Sequence, residues 1–276
     1  MPFDTLTPRM KQVAEAGRRF LMDRHGQGVK TEVEIDSVLR WKPTFYIKTA
    51  TQVIAAEASE LVFPEILRIV AFDLVNYSTP IAVYVVCPSE VFQPKAATEL
   101  RRSGIGLVLV DEAGEATQAI PCVALQQHIS EVRFESEITG IGVKLKNKLR
   151  AAHTVYLGDS GQGLQKAGQV VEALINALVT ESVRLKYVSN GIMRDPTADA
   201  LDKLWQLKPF ENHRAALGGA RDFMREFRNM ASHPPRSKKA ALERINKARD
   251  GFLAAIRVSR NLESTAKKLK MRVLLH

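Results

Sequence analysis

Hydrophobic positions along this 276-residue chain change their period part-way through. The first half mixes short alternating and continuous apolar runs with helical ones, and the second half is helical almost throughout. Pro8 to Asp23 reads as a helix with Met10, Val13, Phe20 and Leu21 on one side. Three strand-like pieces follow, at Thr31 to Trp41, Thr44 to Lys48 and Gln52 to Ala58; Val33 and Ile35 alternate with Glu32, Glu34 and Asp36 as a half-exposed strand would. Pro64 to Asn76 carries Ile66, Leu67, Val70, Ala71 and Leu74 at helical spacing. A buried strand at Ile81 to Cys87, a helix at Pro94 to Arg102 and a strand at Ile105 to Val110 complete the unit. Strand, helix and strand in succession predict a right-handed parallel crossover.

From about Pro121 to Gly142 no period is sustained. The reading is therefore a first domain over 1–125, a linker and connecting helix over 126–154, and a helical domain over 155–276. In the last, Leu164, Ala167, Val170, Val171, Leu174, Leu178, Val183 and Leu185 predict one long helix, ending near Gly191 with a left-handed cap. A shorter helix is expected at Thr197 to Gln206, then one over Glu211 to Ser232 that Pro234 stops. A last helix, capped by Ser237 and running to about Leu269, carries Leu242, Ile245, Ala248, Phe252, Leu253, Ile256 and Leu262 inward. Four or five helices joined by short turns make an all-α bundle.

Composition narrows the class. With 45% hydrophobic and 25% charged residues the chain reads as globular, and its longest apolar runs are too short to span a bilayer. No secretion signal is recognisable at the start, and Cys87 and Cys122 read as core thiols, so a cytoplasmic protein without a membrane partner is expected. The net charge of +10 is uneven: residues 1–129 hold 13 basic and 15 acidic side chains, residues 130–276 hold 27 and 15. The second half alone is suited to a polyanion.

Chemistry concentrates in one run, Arg225-Glu226-Phe227-Arg228-Asn229-Met230-Ala231-Ser232-His233-Pro234-Pro235. On an α-helix Arg228 and Ser232, and Asn229 and His233, are i,i+4 neighbours, which gathers a permanent cation, an amide and a group titrating near neutrality. Such a set can hold a phosphodiester and move a proton on it.

The bundle with this run at the end of its third helix resembles the HEPN superfamily over about residues 155–270. The resemblance implies metal-independent cleavage of RNA in a homodimer whose two motifs face each other across a cleft. Arg228 would stabilise charge on phosphorus, His233 would act as acid or base, and Asn229 would orient the imidazole or the phosphate; no cofactor is called for. Arg221, Arg225, Ser232, Arg236, Lys238 and Lys239 would extend the RNA contact, and Glu172 or Glu181 could orient a motif side chain. tRNA and mRNA are the candidate targets, and a protein partner that inhibits or activates the enzyme is a further expectation. A bacterial toxin or anti-phage defence effector is the role the family suggests.

The first half, over about residues 8–115, resembles the PD-(D/E)xK restriction-endonuclease-like superfamily, whose active members place two acidic residues and a lysine around a divalent metal. Aligned here, the metal-binding aspartate becomes Thr44 and the lysine becomes Ser59; Glu57 alone remains. No metal site is expected, and the domain reads as a degenerate copy suited to sensing, binding or dimerisation. Two alternatives stand beside the ribonuclease: a non-catalytic nucleic-acid-binding adaptor, and a Mg²⁺-dependent DNA nuclease using Glu32, Glu34 or Asp36 with Glu57. Gly104-Ile105-Gly106 leads into a strand and lacks the helix N-terminus of a phosphate loop.

Overall fold

The computed structural model describes residues 6–39, 41–228 and 237–272, with the backbone alone for Arg228 and Lys238. The chain divides into two compact units, residues 1–131 with 237–246, and residues 132–236 with 247–276.

The first unit is a mixed six-stranded sheet: β1 (Lys30–Thr31), β2 (Phe45–Lys48), β3 (Val53–Ala58), β4 (Ile81–Pro88), β5 (Gly106–Val110) and β6 (Ala116–Ile120), in that spatial order. β1/β2, β2/β3 and β5/β6 are antiparallel; β3/β4 and β4/β5 are parallel. The two parallel steps are bridged by α2 (Glu65–Asn76) and α3 (Pro94–Ser103), so the expected parallel strand–helix–strand connection is present. β4 is buried along its whole length, as a central strand covered on both faces must be. Its Ile81, Val83, Val85 and Cys87 meet Leu67, Val70 and Leu74 of α2 and Leu100 of α3. Ala82, Tyr84 and Val86 meet α1 (Pro8–His25) through Met10, Val13 and Phe20. Thr7 accepts from Met10 N and Pro8 fills the first helical position, which sets the start of α1. Both cysteines are free and buried.

Two departures from the sequence reading affect this unit. The expected strand over Thr31 to Trp41 is cut to Lys30–Thr31. Glu32 takes a left-handed φ of 49°, and Asp36 Oδ1 accepts from Val38 N and Leu39 N at 2.9 Å each, which turns the chain and buries Ile35, Leu39 and Trp41 instead. Conversely β6 forms where the pattern predicts no strand. Its sequence Ala-Thr-Gln-Ala-Ile has a weak pattern, and it pairs because Asp111 closes a tight turn, with Oδ1 accepting from Glu115 N at 2.8 Å.

The second unit is helical: α4 (Glu131–Glu137), α5 (Val143–Tyr156), α6 (Ser160–Arg184), α7 (Thr197–Gln206), α8 (Arg214–Phe223) and the part of α9 (Lys238–Lys268) from Lys247 onward, with 3₁₀ turns at Asn190–Arg194 and Lys208–His213. Asp159 caps α6 by accepting from Gln162 N at 2.9 Å. α5 and α6 pack closely: a β-carbon on Gly163 would lie 2.3 Å from Tyr156 Cα. Phe134, His153, Tyr156 and Phe252 form an aromatic cluster, with His153 stacked on Phe134 at 4.1 Å.

Here too the structure differs from the pattern. α6 stops at Arg184, not near Gly191, because Lys186 adopts the left-handed conformation at φ 61°. The helix expected over Glu211 to Ser232 opens with a 3₁₀ turn, is α-helical over Arg214–Phe223, and becomes π-helical over Met224–Arg228. Ser237 caps α9 by accepting from Ala240 N at 3.1 Å, but Leu242, expected inward, is exposed.

Candidate functional site

In the sheet unit, the antiparallel register that sets Phe45 opposite Ala56 brings Thr44 beside Glu57 at the ends of β2 and β3. Thr44 N donates to Glu57 Oε2 at 3.4 Å, and the Thr44 hydroxyl accepts from Ala58 N at 3.0 Å. Ser59 Oγ accepts from Leu61 N at 2.9 Å, and Ser59 N donates to Val86 O at 2.9 Å. The Thr44 and Ser59 hydroxyls thus serve the local backbone, and Glu57 is the one carboxylate of the three positions. Burial at the end of an apolar strand pushes the Glu57 carboxyl up to about 7, against the opposing effect of its hydrogen bonds to Thr44. An apolar run, Val53 to Ala56, leading straight into the residue was the sequence signal for that burial.

Two of the carboxylates that a Mg²⁺-dependent reading would recruit have partners of their own. Asp36 accepts from two backbone amides and from the Tyr77 hydroxyl, which together hold its carboxyl below the usual range. Glu34 lies 3.6 Å from Lys42 Nζ. Among the described residues no group of three or more His, Cys, Asp and Glu side chains is placed to hold a metal ion.

In the helical unit, Arg228 is the last residue of the π-helical segment Met224–Arg228. Asn229, Ser232, His233 and Arg236 lie outside the described residues. The i,i+4 relations expected between Arg228 and Ser232 and between Asn229 and His233 therefore fall outside the described residues; the backbone leading up to them is π-helical over Met224–Arg228. Phe223 and Phe227 anchor the segment in the core, their rings 5.8 Å apart. π-helical turns are rare, recur at functional positions, and leave no mark in a hydrophobic period.

The flanking cations differ in how tightly they are held. Arg221 is paired with Asp202 at 3.1 Å and sits over the Trp205 ring at 5.6 Å, partners that helical spacing alone does not reveal. Arg225 lies 3.9 Å from Asp222, with its side chain 83% exposed. Lys238 and Lys239 open α9, Lys239 exposed. Glu181 does not lie free to orient another side chain: it receives Arg184 through two bonds of 2.9 Å and Arg272 N at 2.7 Å, which keep its carboxyl below the usual range. On α5, Arg150 is taken up by Glu135 through two bonds of 2.8 Å.

No helix among the described residues is long and apolar enough to cross a membrane. No family model, curated protein or solved structure matches the chain.

Proposed function

We propose that the chain is a metal-independent endoribonuclease whose chemistry is carried by Arg228, Asn229 and His233, with the sheet unit as a non-catalytic partner module. One observation carries the reading: an arginine ends a π-helical turn in a strongly basic helical region and is followed at once by an amide and, five positions on, by a histidine. A π-turn gives up regular hydrogen bonding, and such segments persist where function needs an off-pattern backbone.

In this reading Arg228 binds the scissile phosphate with paired N–H donors and stabilises the charge that builds on phosphorus. The internal 2′-hydroxyl of RNA attacks phosphorus, its proton passes to a base, and the 5′-oxygen leaves protonated. His233 serves one of those two proton transfers, and Asn229 orients it or the phosphate. The products are a 2′,3′-cyclic phosphate and a 5′-hydroxyl, with no water consumed and no Lewis acid needed. A homodimer with two motifs across one cleft, and a role as a toxin or defence effector restrained by a partner, fit a nuclease that acts on cellular RNA. The positions Thr44, Glu57 and Ser59, two of them neutral hydroxyls turned to backbone, support a sheet unit that binds or senses.

The test is incubation of the purified protein with total RNA in EDTA, beside Arg228→Ala and His233→Ala. Cleavage by the wild type, lost in both variants while His233→Ala still binds RNA, is the expected result. RNA binding with no cleavage by the wild type would replace this proposal with the non-catalytic adaptor. Cleavage of DNA abolished by EDTA would instead point to the sheet unit.

A further inference from the structure

Helix α1 and the β5–β6 hairpin enclose a cleft of about 390 Å³, within the range of small-ligand sites. Arg19, Phe20, Asp23 and Arg24 of α1 line one wall, and Glu115 and Ala116 of the hairpin line the other. Side chains of α1 tie the two walls together. Arg9 donates to Val110 O at 2.9 Å and to Asp111 O at 2.8 Å, and Gln12 Nε2 donates to Glu112 O at 2.9 Å. Gly114 makes the turn at φ 82°, and a β-carbon there would lie 2.9 Å from Gln12 Nε2. The packing of helix against hairpin thus fixes the shape of the cleft.

The two arginines of the cleft are held in place without being neutralised. Arg19 donates to Gly114 O at 3.3 Å, and Arg24 donates to Gln118 Oε1 and lies 4.4 Å from the centre of the Phe20 ring. Those partners are uncharged, and among the described residues no carboxylate lies within ion-pair distance of either guanidinium. Arg9 on the same helix shows the contrast, taken up by Glu90 through two bonds of 2.7 Å. A guanidinium has five N–H donors, so most of those on Arg19 and Arg24 remain for an anion, on side chains already oriented. We infer that this cleft binds a small phosphorylated sugar, as in a nucleoside 5′-monophosphate. Arginines offer the paired donors that phosphate oxygens accept. Asp23 and Glu115, neither with an ion-pair partner among the described residues, supply acceptors for sugar hydroxyls. The same two carboxylates, and the balance of 13 basic against 15 acidic side chains in residues 1–129, oppose a long polyanion. A single phosphate on a small ligand is therefore favoured over a nucleic-acid strand.

This inference stands apart from the ribonuclease reading, because it concerns the sheet unit and makes no use of Arg228 or His233. The experiment is calorimetric titration of the full chain with ribose 5-phosphate, AMP and GMP, beside adenosine, inorganic phosphate and a single-stranded oligodeoxynucleotide. The three phosphorylated sugars should bind wild type, Arg228→Ala and Arg18→Gln alike; Arg18 is an exposed neighbour on α1 outside the cleft. Arg19→Gln and Arg24→Gln should each weaken binding about tenfold or more, as loss of a charged hydrogen bond does, with melting temperatures unchanged in the absence of ligand. Arg24→Lys, which keeps the charge without the paired donors, should fall between. Adenosine and inorganic phosphate should bind more weakly than AMP. A wild type that binds none of the three overturns the inference, as do arginine variants that bind like wild type or inorganic phosphate that binds as tightly as AMP. Binding lost in Arg228→Ala would move the ligand to the helical unit and overturn it too. An oligonucleotide held more tightly than AMP, and released by the cleft variants, would replace the small ligand with a nucleic-acid surface. RNA cleavage without ligand binding would leave the nuclease proposal standing while this one fell.

Discussion

Gly251 of α9 faces Phe227 with no space for a side chain between them. A β-carbon at Gly251 would lie 2.7 Å from Phe227 Cδ1 and 3.0 Å from Leu164 Cδ1. The helix carrying Gly251 is thereby brought against the π-helical segment that ends in Arg228. In an open helix Gly→Ala gains about 1 kcal/mol, whereas overpacking a core costs about 1–3 kcal/mol. Gly251→Ala should therefore destabilise the protein by up to about 2 kcal/mol in urea unfolding, since the crowding outweighs the propensity gain. A neutral or stabilised variant would show that the aromatic ring yields freely.

Glu57 sets a pH dependence with a definite sign. Its carboxyl is raised from an ordinary 4.5 to about 7. Below pH 4.5 it is protonated whether the chain is folded or not, and its burial is uncharged. Between pH 4.5 and 7 the unfolded chain gives up the proton while the folded chain keeps it, so stability falls across that window. Glu57→Gln should remove this decline, leaving the variant more stable than the wild type at pH 8 and little different at pH 4. Chemical denaturation at the two pH values measures it; equal slopes for both proteins would mean that the carboxyl ionises freely.

Arg221 and Arg225 should separate in RNA binding. The first already has an anion and an indole, and the second presents an exposed guanidinium. Arg225→Ala is expected to lower affinity and reduce the slope of log K against log salt by about 1, as loss of one phosphate contact does. Arg221→Ala should shift that slope by less. Fluorescence anisotropy across a salt series reads both, and a larger effect at Arg221 would reverse the assignment.

Glu181 ties the segment after α9 to α6. Glu181→Ala removes three hydrogen bonds to Arg184 and Arg272 N, two of them from a guanidinium, and should cost about 1–3 kcal/mol at pH 7. Its carboxyl is held below the ordinary value, so the contribution is present above pH 4.5 and is lost as pH falls. The difference between wild type and variant should therefore shrink at pH 3, as urea titrations at the two pH values would report.

The helical period located α1, α2, α3, α6 and α7 to within a few residues at most ends, because burial of one side writes i, i+3, i+4 spacing directly into the residues. Continuous apolar runs located β4 and β5 for the same reason. Segments whose conformation depends on a partner were not legible. Thr31 to Trp41 alternates like a strand, yet Asp36 turns it; Ala116 to Ile120 has almost no pattern, yet β5 pairs with it. At the candidate sites, residue types could be read but not their engagements. Thr44 and Glu57 are singled out only by the family resemblance noted in the sequence, whereas the burial that lifts the Glu57 carboxyl depends on the sheet around it.

The order of residues by itself determined which stretches bury an apolar face, where the positive charge accumulates, and that an arginine, an amide and a histidine fall within six positions of one another. Those are properties of local spacing and composition, which need no partner. Tertiary structure alone decided that Arg221 is held by Asp202, that Glu181 secures Arg272, that the backbone before Asn229 widens into a π-turn, and that Ile69 and Phe72 are left facing water. Each depends on which surfaces meet across long stretches of chain, and the free energy of such meetings belongs to the packed assembly rather than to any window of residues.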